Sequence, residues 1–155
     1  MAREIVNHLD LELASLISSL KDLVNSVPQD LLYKNPPAAS IGENILRSAA
    51  VIEQTCGGLT ANLWDDPFEW TLPETLSTAD RIIEYLSEVD VARQRAFASI
   101  ADDSALSKYI SVPSGEPRLL VSLLIETLVT ASDYRGRALA TSKILFGEGA
   151  QGFII

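Results

Sequence analysis

The chain is 155 residues long, with 21 acidic and 12 basic side chains, a formal charge of −9, 47% hydrophobic residues, one histidine and one cysteine. That length lets a single domain, residues 1–155, bury a core without disulfides or a structural metal, and a lone cysteine closes no intramolecular bridge. The acidic balance and scattered basic residues disfavour nucleic acid and anionic membrane surfaces, which are held by clustered Lys and Arg; the lack of a long apolar run or apolar leader points to a cytoplasmic protein.

Apolar residues recur every three or four positions from Glu4 to Val27, through Ile5, Leu9, Leu13, Leu16, Leu20 and Leu23, which predicts a first helix with one buried face. Pro28, Pro36 and Pro37 then break the pattern, so Pro28 to Ala39 reads as a connection with one short turn. Ser40 with Glu43 three residues on is a capping-box start, followed by Ile41, Ile45, Ser48, Ala49 and Ile52 on one side. This second helix ends near Gly57-Gly58 or one turn later, at Leu63. The stretch from Trp64 to Pro73 has no usable period and two prolines, and reads as a long crossover without regular elements.

Ser77 or Thr78 can cap a third helix, whose stripe runs through Ile82, Ile83, Leu86, Val89, Arg93, Ala96, Phe97 and Ile100. Asp102 to Pro117 is a second connection, with turn chemistry at Pro113-Ser114-Gly115-Glu116-Pro117. From Arg118 to Phe146 comes the most apolar helix, and Gly147 opens a tail, 147–155, that ends in Phe153-Ile154-Ile155. Four long amphipathic segments without strand-like alternation predict an all-α fold, an antiparallel four-helix bundle with a long connection between helices two and three.

Ser40-Ile41-Gly42-Glu43 at the entry to the second helix, and Tyr134-Arg135-Gly136-Arg137 where many relatives carry His-Arg-Gly-Gln, make the chain resemble the DinB-like superfamily over roughly Leu9 to Leu145. The resemblance implies a four-helix bundle, commonly a homodimer. In metal-binding members, one histidine on helix two and two on helix four hold a divalent metal such as Zn or Ni. The corresponding positions here are Arg47 or Ser48, Thr130 and Tyr134, so no imidazole remains. Hydroxyls are poor ligands at neutral pH and an inward arginine repels a cation. The expectation is therefore no metal cofactor, Thr130 bonding within its helix, Tyr134 filling the vacated volume, and a protein that acts by binding. The alternative is an enzyme, a thiol-dependent transferase or isomerase or a metal-dependent hydrolase, using a modified pocket around Arg47, Ser48, Thr130 and Tyr134.

Other candidates carry less. Asp133 could replace a lost ligand but sits one residue off the inherited face, and reads as a surface or salt-bridging acid. Asp65, Asp66 and Glu69 match no calcium-loop spacing. Trp64, Phe68 and Trp70 are expected to be buried over one end of the bundle, or to form the wall of a ligand pocket. Cys56 lacks a histidine base nearby in sequence and reads as a small buried residue; His8 lies beside the apolar face of the first helix with no second histidine to partner it.

Overall fold

The computed structural model describes residues 2–35 and 39–146. Expectations for Pro36, Pro37 and the tail from Gly147 through Phe153-Ile154-Ile155 fall outside these residues. The described chain is mostly helical: α1 (Glu4–Ser26), α2 (Gln29–Leu32), α3 (Ile41–Ala61), α4 (Ala79–Ala98) and α5 (Leu120–Phe146), with 3-10 turns at Pro67–Glu69 and Asp103–Ser107. A short pair of strands, β1 (Tyr109–Ile110) and β2 (Arg118–Leu119), pairs antiparallel. The last helix thus begins two residues later than its apolar pattern suggests, because Arg118 and Leu119 are spent on the strand pairing.

Several boundaries follow local chemistry. Ser40 caps α3 by accepting the Glu43 N–H at 3.0 Å, one half of a capping box; the Glu43 carboxylate lies 3.9 Å from Arg47 instead. Asn62 closes the helix in a left-handed conformation, φ 56°, a position that asparagine tolerates better than most residues. Thr78 caps α4 through the Arg81 N–H. Gly42 is required by packing: a Cβ there would lie 2.4 Å from the Tyr33 ring, which α2 lays across the start of α3.

α3 packs against α5 and α4, and α1 against α4 and α5. The shared core holds Leu13, Ile17, Leu20, Leu32, Ile41, Ile45, Leu46, Ile52, Ile82, Leu86, Phe97 and Leu124, all virtually inaccessible. On α1 the stripe begins one residue later than expected: Val6 is buried whereas Ile5 is 55% exposed. A long-range clamp holds this end of the helix. The Asp103 carboxylate accepts the Ile5 and Val6 N–H groups at 3.2 and 3.0 Å, capping a helix whose own N-cap residue, Arg3, supplies no side-chain bond. Arg3 in turn donates to the carbonyls of Phe97 and Ile100 at the end of α4, where a cation meets the negative end of the helix dipole. Arg93, on the apolar stripe of α4, is buried in an ion-paired cluster with Asp10 of α1 and Asp90.

Among the described residues, no helix is long and apolar enough to cross a membrane.

Candidate functional site

The α3–α5 seam is built from small and hydroxyl side chains. Ser48, fully buried, donates to the Ala131 carbonyl at 2.7 Å. The Thr55 and Thr127 hydroxyls meet at 2.6 Å, and Thr127 also donates to the Leu123 carbonyl at 2.8 Å. Because Thr127 has spent its proton on Leu123, Thr55 must be the donor of the pair. Thr127, Thr141 and Ser142 are buried on α5 alongside Ala131 and Ala138, a face that hydropathy alone would not select.

Towards the end of this seam the helices part to leave a cleft of about 330 Å³. Val51, Gln54 and Thr55 of α3 form one wall; Leu123, Glu126, Thr127 and Thr130 of α5 form the other. Trp64 and the hairpin residues Val112, Pro113 and Ser114 close the end, and Arg118 pairs with Glu126 at its rim. Trp64 is held at three points. Its indole N–H donates to Asn62 at 2.9 Å, its carbonyl accepts from Gln54 at 2.7 Å, and its ring covers Gly58, where a Cβ would lie 2.3 Å from it.

Of the four residues singled out from the sequence, only Thr130 lines this cleft. Arg47 lies over the Phe68 ring, 4.0 Å from guanidinium carbon to centroid. Ser48 is committed to Ala131. Tyr134 is half-buried, with Arg137 5.2 Å from its ring centre. The hydroxyl bond within the helix that was expected at Thr130 occurs at Thr127 instead. Asp133 is exposed and pairs with Arg137 at 2.8 Å.

The three crossover aromatics part company. Trp64 walls the cleft and Phe68 is half-buried under Arg47, whereas Trp70 is 53% exposed, against the expectation of burial. Asp66 caps the 3-10 turn through the Phe68 N–H. Burial pushes the Cys56 thiol up to about 12, Arg93 lowering it only in part, so it carries almost no thiolate at neutral pH. His8 is exposed on α1. Among the described residues, no three His, Cys, Asp or Glu side chains gather where they could hold a metal ion.

The sequence reading missed Gln54, Thr55 and Thr127 as lining residues. The one local signal was Gly57-Gly58 six residues before Trp64, a smooth surface ahead of a large ring. The chain matches no protein-family model and no curated protein.

Proposed function

We propose that this chain is a DinB-like protein built as an antiparallel four-helix bundle, that it lacks the three-histidine metal site of its superfamily, and that it acts by binding a small, mostly uncharged molecule in the α3–α5 cleft. Two orders of contact support the architecture. Along α3, Ser48 then Thr55 meet Ala131 then Thr127, so the partner numbers fall as the α3 numbers rise; Arg3 and Asp10 of the α1 region meet Phe97 and Arg93 in the same reversed sense. The lost-metal reading is supported by the donor set: a guanidinium stacked on Phe68, a serine already spent on a carbonyl, and two neutral hydroxyl side chains, none of which suits a divalent cation.

The observation that carries the binding function is the cleft itself. Its volume falls in the range of small-molecule sites, and its lining mixes apolar walls with a few fixed polar groups, Gln54, Thr55, Thr127 and Thr130. The lining charges, Arg118 and Glu126, neutralise each other, which favours an uncharged ligand. Assembly as a homodimer belongs to the same reading and draws on the resemblance and on exposed Ile125 and Val129 of α5.

Two measurements test it. Elemental analysis after exposure to Zn²⁺, Ni²⁺ and Mn²⁺ and desalting should find no stoichiometric metal; one equivalent per chain would overturn the lost-site reading. Screening small neutral amide- and hydroxyl-bearing aromatics by NMR should find compounds that move the Trp64 indole N–H resonance, with the response lost in Thr130→Phe, whose ring occupies the cleft. No such compound, or one indifferent to Thr130→Phe, would refute the cleft as the site.

A further inference from the structure

The crossover carries a second feature that the cleft does not use. Trp70 stands half in water although its indole is among the costliest groups to leave exposed. It forms one wall of a groove of about 200 Å³ that Leu63, Pro67, Gly57, Glu53 and Asp65 also line. No lysine or arginine lines this groove, and none of the ion pairs among the described residues involves either carboxylate. Gln54 is the one residue it shares with the α3–α5 cleft.

Glu53 is positioned from behind. The buried Tyr85 of α4 donates its hydroxyl to the Glu53 carboxylate at 2.6 Å. Burial raises the Glu53 carboxyl above its usual range, the Tyr85 bond opposing and the Glu88 charge adding to the rise. A positive group arriving in the groove would offset that cost. Trp70 also lines a second hollow, together with Glu84, Glu88 and Arg81, and the Arg81 guanidinium donates to the Thr75 carbonyl.

A half-exposed indole, two carboxylates outside any ion pair and apolar Leu63 and Pro67 complement one class of ligand. The ring quadrupole and the carboxylates attract positive charge, and the apolar walls accept a hydrocarbon body. An anion of the same shape meets only repulsion. We infer that the groove beside Trp70 binds a small organic cation, an aromatic or alkyl ammonium, with Trp70 as its aromatic wall and Glu53 and Asp65 as its counter-charges.

The test is a chemical-shift titration of the full ¹⁵N-labelled chain at low salt with benzyltrimethylammonium, benzyl alcohol and phenylacetate, followed at the indole N–H resonances of Trp64 and Trp70. The cation should move the Trp70 resonance saturably and leave that of Trp64 in place, the alcohol should bind more weakly, and phenylacetate should have no effect. Glu53→Gln and Asp65→Asn should each weaken the cation by about fivefold, and added salt should weaken it further. Trp70→Ala, at a site already half in water, should keep the fold by circular dichroism and lose binding by ligand-observed NMR. Absence of saturable cation binding, equal binding of alcohol or anion, or cation binding unchanged in Trp70→Ala would each overturn the inference. Thr130→Phe should leave cation binding intact, so failure here is separable from failure of the cleft.

Discussion

Two of the seams between the long helices differ in the polar groups that cross them. Between α1 and α4 the polar contacts are charged: Arg93 with Asp10 and Asp90, Arg3 on the α4 terminal carbonyls, Asp103 on the α1 amides. Between α3 and α5 they are neutral hydroxyls among small side chains. A charged seam is strong only when every partner is in place, so it suits a scaffold. A seam of small side chains lets backbones approach closely along part of its length, and towards its end lies the cleft that Trp64 helps to line. Candidate ligand space and structural clamp thus lie on different helix pairs.

That contrast can be broken by substitution. The largest effect is expected from Arg93→Ala, which leaves Asp10 and Asp90 facing a cavity; a loss of about 3 kcal/mol in urea denaturation is expected, at the low end for a buried pair because both carboxylates reach water. A cost below about 1 kcal/mol would reduce the seam to ordinary surface pairing.

The neutral seam should respond less and asymmetrically. Thr127→Val strips the Thr55 proton of its acceptor and should cost about 1–2 kcal/mol, whereas Thr55→Val leaves the Thr127 bond to Leu123 intact and should cost about half that. The double variant should be little worse than Thr127→Val alone; strict additivity would mean that the two hydroxyls do not act as a pair.

The smallest effect lies between the two seams, at Glu53, which joins α3 to α4 through Tyr85. Its folded carboxyl is raised above the unfolded value, so the protonated form is favoured by folding. The corresponding stabilisation is present at low pH and is lost as pH rises through the folded value. Glu53→Gln keeps an oxygen to accept the Tyr85 proton and should be slightly more stable than the parent at pH 7, with the gain vanishing below about pH 4. A loss of stability at pH 7 would show that the charge itself supports the fold.

Much of the helical frame was legible because its signals are local. Ser40 before Glu43 and Thr78 before Arg81 announce helix starts through hydrogen bonds that span three residues. The period of α4 even placed Arg93 on the buried stripe. The candidate site was legible at Thr130 and, in the alternative reading of the crossover aromatics, at Trp64. The resemblance implied Arg47 or Ser48 at the helix-two ligand position, but Arg47 lies over the Phe68 ring brought back by the crossover and Ser48 bonds the Ala131 carbonyl. Trp70 was expected to be buried with its aromatic neighbours, and nothing local distinguishes it from Trp64, which has Gly58 to lie on.

The sequence by itself determined which long segments are helical and where α3 and α4 begin. Those depend on backbone hydrogen bonds and side-chain period within a few residues. The tertiary structure alone decided that Asp103 caps a helix 97 residues away, that Val112 to Ser114 and Trp64 line one cleft, and that Glu53 and Asp65 share a groove with an exposed tryptophan. Such contacts join residues far apart in the chain, and their energies exist only after the helices have packed.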